Sequence, residues 1–540
     1  MFFNSHTIAL LTAFSLTGLL TSGTAAFATS DTGSTDTVVI IDGDILGRYN
    51  PILGHGRNGD SHIYQGLYRV ETGVFDRQPA LLPKLAAGPA VATEQNRVWT
   101  VPLRQGVTFS DGTTFGPEDV VATFKALLDP RSASSEIAGW DNIEKVEAAG
   151  DSVRFTLKTP LAEFDRRLLN VIAPSEAFDF DKLGPAEDSP LNSKPVGTGP
   201  YVLSELRSDE AILVAREDYW GPQPEVRKIV IRHTADENAR AQQLRAGEGD
   251  GTLLVAELAQ TFKEPEFAVV SVRSADWRGI TLPAGNPVTA DDAVRLAVNL
   301  AVNRENMVKY VMKGHAVANS TFLAPFYGDA YDPSLEFPFD PGAAIKILEE
   351  AGWKPGPDGI RTKNGQRASF QVIYFPNRDR ARRDLTLAAA SDLKKIGVEL
   401  IPVARDSKAV TADMYSHTPV MLGGGGIPYS LDGQIFRILH SSYAAPGAGA
   451  KWDNGSDYRN PQIDTLLETA RRTADQGQQN ELYRAVQREY RTRPAMLQLV
   501  YVNHVYVKRA QGFKGADGIL EPHTHGVNFG PWYAIEDWRR

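Results

Sequence analysis

Apolar residues recur at period two and at period 3.6 in alternating stretches from Thr37 onward, and that order points to a fold of mixed α and β class. "TVVIIDG" (Thr37 to Gly43) reads as a buried strand, and "SVRFTLK" (Ser152 to Lys158) sets Val153, Phe155 and Leu157 against Arg154, Thr156 and Lys158, as in a half-buried strand. "GPEDVVATFKALL" (Gly116 to Leu128) places Pro117 at a first helical position and gathers Val120, Val121, Phe124, Leu127 and Leu128 on one stripe. In the second half, Thr289 and Asp292 resemble a capping box opening a long helix through Leu296, Leu300 and Met307 to Gly314. Asp340-Pro341 and Asn460-Pro461 open two more helices, and Gly352 stops the first of them. β-prone runs such as "RKIVIRHT" (Arg227 to Thr234) and "AMLQLVYVNHVYVK" (Ala495 to Lys508) lie between the helices.

At 540 residues, 42% hydrophobic and 23% charged, the chain is long enough to need at least two domains. A net charge of -9 argues against nucleic acid or anionic lipid as partner. The first acidic or basic residue is Asp31, preceded by the apolar Ile8 to Leu20 stretch and by Ala26-Phe27-Ala28, so residues 1-28 read as a secretory signal cleaved near Ala28. That stretch is shorter than the roughly 20 residues a membrane-spanning helix needs. Cysteine is absent, which removes disulfides, thiolate ligands, a cysteine nucleophile and a lipidated cysteine. An exported protein without a lipid anchor is retained by a second membrane, so the expected location is the periplasm.

The motifs of catalysis are missing: no H-E-x-x-H, no G-x-S-x-G, no Walker A loop and no G-x-G-x-x-G opening a helix. No enzyme activity and no cofactor is expected on this reading. The Gly423 to Gly426 run lacks the Lys-Ser/Thr that would hold a phosphate and reads as a flexible or tightly turning loop after a strand. One cluster keeps a metal in play. In "EPHTHGVNFGPWYAIEDW" (Glu521 to Trp538), Glu521, His523 and His525 would project from one face of an extended strand, where they could converge on an ion and support a metal-dependent periplasmic hydrolase.

Four ordered stretches carry a resemblance. "NRVWTVPLRQGVTFSDGTTFGPEDVVATF" (Asn96 to Phe124), "PVGTGPYVLSEL" (Pro195 to Leu206) with "EDYWG" (Glu217 to Gly221), "AVRLAVNLAVNRENMVKYVMKGHAVAN" (Ala293 to Asn319) and "AIKILEEAGW" (Ala344 to Trp353) resemble the extracellular solute-binding proteins of ABC importers, in the class that takes up peptides, nickel and related solutes. The resemblance implies a two-lobed periplasmic-binding-protein, or venus-flytrap, fold with an extra subdomain in the first lobe. Lobe I would span residues 29-282, with the subdomain at about 69-191, and take back residues 503-540; lobe II would span 283-502. Hinge strands would lie near "DWRGITL" (Asp276 to Leu282) and "LQLVYVN" (Leu497 to Asn503). The implied partners are a small solute (a peptide, an opine-like compound or a metal chelate) and the permease with its ATPase subunits, with the protein itself a monomer.

Within the signature, Trp99, Gly106, Phe109, Asp111 and Gly112 read as structural, the aromatics in a core and Asp-Gly in a turn. Solute contacts nominated in the first lobe are His55 and Arg57 in "LGHGRNGDSHIYQGLY" (Leu53 to Tyr68), which matches the family segment that approaches the cleft, and Trp140; the clustered arginines of "NRDRARRD" (Asn377 to Asp384), Arg382 among them, could hold a carboxylate or form a solvated basic turn. The loop "GGGGIPYSLDGQIF" adds Tyr429 and Asp432, the acid that would pair with a peptide's amino terminus, and Arg437 follows it. His440 stands where nickel-binding relatives carry a coordinating histidine. His440, His523 and His525 are the residues considered for metal, and the bland alternative for each is a packed or surface histidine.

Overall fold

The strand Thr37–Asp42 organises the first sheet, running parallel to Lys228–His233 on one side and to Gly251–Leu253 on the other. The computed structural model describes residues 36–54, 56–376, 380–426, 428–445, 452–516 and 518–540; the segment expected to be a secretory signal and His55 lie outside them. Parallel neighbours require both faces to be covered, and Ile40 and Ile41, which point to opposite faces, are each fully buried. Antiparallel strands complete seven: Glu210–Ala215 and Tyr201–Leu206 beyond one neighbour, His504–Arg509 and Phe267–Val272 beyond the other. Helix Glu237–Arg245 makes the crossover between Lys228–His233 and Gly251–Leu253; Asp236 caps it by accepting from the Ala239 amide at 2.8 Å.

A four-stranded antiparallel sheet is inserted before Tyr201, in the order Val91–Thr93, Val98–Pro102, Ser152–Leu157, Ile143–Ala149. Val153, Phe155 and Leu157 are buried, the face their alternation predicts. Helix Pro117–Leu128 lies across this sheet with Phe124 edge-on to Phe155 at 5.1 Å. The signature residues are structural: Trp99 and Phe109 are buried, and Gly112, at φ 88°, turns a tight loop whose amide reaches the Phe109 carbonyl at 3.1 Å.

The second half holds a four-stranded sheet in the order Ala316–Ala318, Met496–Val502, Trp277–Thr281, Met421–Gly424. A parallel pair, Ser369–Tyr374 with Glu399–Ala404, is joined by helix Arg380–Lys395. Asp340 and Asn460 cap their helices as predicted, accepting from Ala343 and from Gln462 and Ile463. The long helix predicted from Thr289 is corrected. Asp291 is the cap, Thr289 instead donates to the Pro283 carbonyl at 2.9 Å, and helix Asp292–Ala301 ends at Val302 in extended backbone. Asn303 then caps a fresh turn through the Asn306 amide, which competes with continuation of the helix. The face it buries is Val294, Ala297, Val298 and Ala301, with Leu296 and Leu300 only half-buried.

The chain changes sheets twice, and the two crossings touch. It leaves the first sheet at Val272 and enters the second at Trp277; it leaves the second at Val502 and re-enters the first at His504. The run "AMLQLVYVNHVYVK" is therefore two strands in two sheets, divided at Asn503. Ser274 donates to the Val502 carbonyl at 2.6 Å and the Val502 amide to the Asp276 carbonyl at 2.7 Å. The closing segment adds a third strand-like piece, Ser274 bridging to Glu521 in parallel register. Its tryptophans, Trp532 and Trp538, pack 5.6 Å apart into the core of the first sheet, and Gly251 is bare because a Cβ there would lie 2.4 Å from the Trp532 ring.

Candidate functional site

The four glycines after Leu422 are a strand end fitted against other groups on every side. Gly423 and Gly424 close the strand Met421–Gly424, and all four glycines are half-exposed. A Cβ on Gly423 would lie 2.6 Å from both Arg278 Nη1 and Arg382 Nη2; on Gly424, 3.3 Å from the Trp277 ring; on Gly425 and Gly426, 2.4 and 2.0 Å from the carbonyls of Ala275 and Gly433. The flexible-loop reading gives way to close approach, the other use of glycine. Two guanidinium groups thus meet at one bare point of backbone. Arg382 comes from the helix after Tyr374 and donates to the Met421 carbonyl at 3.1 Å, while Arg278 donates to the Trp277 carbonyl at 3.0 Å and to Asp276. The neighbouring Arg383 turns outward to Asp384, so among the described arginines of the cluster it is Arg382 that is buried.

Opposite lies the closing segment. The predicted convergence of Glu521, His523 and His525 on one ion does not form. Glu521 is buried and accepts from His504 Nδ1 and from the Tyr506 hydroxyl at 3.1 Å, and His523 Nδ1 sits 2.6 Å from Asp276. Period two places side chains on one face, but Glu521 is drawn into the crossing by its backbone bridge to Ser274, and the chain turns after it. Among the described residues no group of three or more His, Asp or Glu is set to hold a metal.

His504, which no motif singled out, is the centre of this region. Its Nε2 lies 3.3 Å from Asp276 Oδ2 while its Nδ1 meets Glu521, so one imidazole joins two carboxylates from two chain segments. Burial works against its charge, yet hydrogen bonds with Asp276 and Glu521 raise its pKa to about 9. Burial likewise opposes the Asp276 charge, but Arg278, His523 and His504 hold it well below the usual carboxylate range. His525 stacks edge-on to His504 with ring centroids 4.7 Å apart. Its side chain is exposed, and desolvation by the surrounding protein, then the His504 charge, push it down to about 3 and keep it neutral.

Tyr429 and Asp432 are wedged between the inserted region and the second half. Asp432, 1% exposed, accepts from Arg167 and from Nε and Nη2 of Arg471, the latter at 3.1 Å. Burial opposes its ionisation, and Arg471 and Arg167 outweigh it, lowering its pKa. Beside it Glu163 accepts from Ser430, the cap of helix Leu431–Leu439, at 2.8 Å. Tyr429 takes Arg166 on its carbonyl at 3.2 Å and donates its hydroxyl to the Leu520 carbonyl at 2.7 Å. The acid nominated for a peptide amino terminus thus holds arginines of the protein itself.

The other nominated residues are similarly engaged. Arg57 pairs with Asp60 at 2.9 Å and reaches Asn170; Arg437 pairs with Asp453 at 2.7 Å. Trp140 is core, 6% exposed and edge-on to Phe124 at 5.0 Å. His440 stacks on Phe436 at 4.3 Å, with Nδ1 2.7 Å from Ser442 and Nε2 3.4 Å from Glu468. An open groove of about 370 Å³ lies near it, lined by Asp141, Lys158, Phe436, Tyr443, Glu468 and Arg472 among others.

Comparison with known proteins bears on what this arrangement serves. The family model described as bacterial extracellular solute-binding proteins, family 5 Middle, matches residues 80–445. The chain is 36% identical over 482 residues to Protein XP55 of Streptomyces lividans, across 88% of this chain and 85% of that one. In structure it is similar to NikZ from Campylobacter jejuni in complex with Ni(L-His), with TM-score 0.78, 24% identity and coverage of 94% and 100%. It is also similar to the oligopeptide-binding protein AppA from Bacillus subtilis in complex with a nonapeptide, with TM-score 0.73, 22% identity and coverage of 93% and 98%. The fold is the two-lobed α/β fold of periplasmic binding proteins.

Proposed function

The chain belongs to the bacterial extracellular solute-binding proteins of family 5, and on that premise we propose that it closes its two lobes over a peptide or peptide-like solute and hands it to the permease and ATPase subunits of an ABC importer. The observation that carries the capture mechanism is the pair of touching crossings at Arg273–Asp276 and Asn503, which leave two sheets joined by short segments. Such a joint permits hinge closure, and contacts made to both lobes by a solute favour the closed state. In this reading lobe I is residues 29-282 and 503-540, with the subdomain at about 69-191, and lobe II is 283-502, with hinge strands near Asp276 to Leu282 and Leu497 to Asn503; the two crossings between sheets support a bend there. Arg167 and Glu163 on one side meet Asp432 and Ser430 on the other, as lobes do on closing.

The mature chain starts after Ala28, acts in the periplasm as a monomer without a lipid anchor, and carries out no catalysis. A metal chelate is the second reading, favoured by one observation: His525 presents an exposed imidazole beside the crossings, edge-on to His504 at 4.7 Å. The hydrolase built on His523 and His525 loses its ligand set, because Glu521 and His523 are turned to His504 and Asp276.

The test is mass spectrometry of whatever solute the native protein releases on denaturation, followed by thermal shift with that compound and with peptides, opines and nickel chelates. A solute at about 100 times its Kd adds about 2.7 kcal/mol to stability. A protein that releases nothing and shifts with no member of the panel would count against solute capture of these classes.

A further inference from the structure

The segment from Ala162 to Arg167, part of the inserted region, is bonded repeatedly to the second half of the chain. The Ala162 amide donates to the Arg471 carbonyl at 2.8 Å. Glu163 Oε2 accepts from the Ser430 hydroxyl at 2.8 Å and from the Asp432 amide at 3.3 Å. Arg166 Nη1 donates to the Tyr429 carbonyl at 3.2 Å, and Gln78, elsewhere in the inserted region, donates to that same carbonyl at 3.3 Å. Arg167, steadied by the Gly139 carbonyl at 3.1 Å, donates to the Asp432 carboxylate that also holds Arg471. Backbone, helix cap and buried charges are thus matched by protein groups on both sides of the seam, and closing it needs nothing between the lobes.

The match is incomplete in a way that matters. Glu163 Oε1 and Arg167 Nε are buried without a hydrogen-bond partner. Burying polar atoms unpaired costs free energy, and that cost is recovered when they return to water. Opening the seam would wet both groups, so the bonds of the strap are set against the recovered solvation, and neither side of the balance is overwhelming.

We infer that the strap Ala162 to Arg167 is a solute-independent latch, which closes the lobes of the empty protein and leaves them able to reopen. The latch rests on the reading of hinged capture and adds the state of the protein between one solute and the next. A solute that binds the closed state has an apparent Kd equal to its intrinsic Kd divided by the closed fraction. Loosening the strap therefore weakens affinity by depopulating the closed state.

The chain has no cysteine, so spin labels on Lys145→Cys, in the inserted sheet, and Thr469→Cys, on helix Pro461–Arg472, report one distance across the seam. Electron–electron double resonance on this labelled mature protein compares the solute-loaded form with the form stripped by unfolding and refolding, in the otherwise wild-type chain and with Arg166→Gln or Ser430→Ala added. The expected result is one short distance in the loaded and in the stripped wild type. Each variant, once stripped, adds a longer distance that returning the released solute removes, and its affinity for that solute falls several-fold. Each is first shown to melt cooperatively; Ser430→Ala also uncaps helix Leu431–Leu439, so Arg166→Gln carries the decision where the two disagree. A stripped wild type dominated by the longer distance, shortened only by solute, overturns the latch and leaves hinged capture standing. Stripped variants that stay as short as stripped wild type, while wild type and variants alike lengthen under mild denaturant before melting, also overturn it, since something other than the strap then closes the lobes. A distance that never changes, with solute, without it, in any variant or under denaturant, overturns hinged capture and the latch together. The stripped forms are compared without solute, so they decide the latch even where none is recovered.

Discussion

Arg167 donates to Asp432, joining the inserted region to helix Leu431–Leu439 through a pair in which both side chains are nearly buried. Removing one partner of such a pair leaves an uncompensated charge, and typical losses are about 3–5 kcal/mol. Arg471 remains on Asp432 to soften the loss in Arg167→Gln, so the expected cost is toward the low end, roughly 3 kcal/mol. Small-angle scattering should show a larger radius of gyration for Arg167→Gln than for wild type, because the pair ties the two sides. Unchanged scattering with a lowered Tm would make the pair a local fastening only.

His504 makes stability depend on pH. Its folded pKa is raised to about 9 by Asp276 and Glu521, above the unfolded value of about 6.5. The stabilisation is therefore fully present below about pH 6.5 and is lost as pH rises through about 9, a change of a few kcal/mol. Thermal melts across this window should show a decline that His504→Gln largely abolishes. A parallel decline in the variant would assign the effect to other groups. Asp276, held low, works in the opposite direction: its contribution is present above the usual carboxylate range and fades as acid protonates it.

Trp140 separates packing from binding. Buried against Phe124 and near Phe164, it should cost about 3–5 kcal/mol on change to Ala, and Trp140→Phe, which retains a ring, much less. In protein that remains folded, solute occupancy should match wild type. A selective loss of occupancy with normal Tm would return Trp140 to the cleft.

Local patterns were legible because they depend on neighbours in sequence. The alternation of "SVRFTLK", the Asp340-Pro341 and Asn460-Pro461 caps and the Asp111-Gly112 turn all formed as read, and the ordered motifs led to the correct family and fold. Long-range partners were not legible. Asp432 was visible as an acid after a glycine run, but Arg167 lies 265 residues away and its arrival depends on how the inserted region packs. His504 sits in an uninterrupted β-prone run, and only the change of sheet at Asn503 brings it between Asp276 and Glu521. The Thr289 helix was misread because the pattern carries no sign that Asn303 would recap the chain.

Two glycines of the same run give a final contrast. A Cβ at Gly426 would stand 2.0 Å from the Gly433 carbonyl, a backbone atom at the start of helix Leu431–Leu439, and cannot be accommodated without moving that helix. At Gly423 the obstacles are side-chain atoms of Arg278 and Arg382 rather than backbone, and side chains yield more readily than a helix. Overpacking costs typically about 1–3 kcal/mol, so Gly426→Ala should fall at or above the top of that range and Gly423→Ala near the bottom. Thermal melts of the two variants decide it, and equal destabilisation by the two substitutions would mean that Arg278 and Arg382 are as rigidly fixed as the backbone beside Gly426.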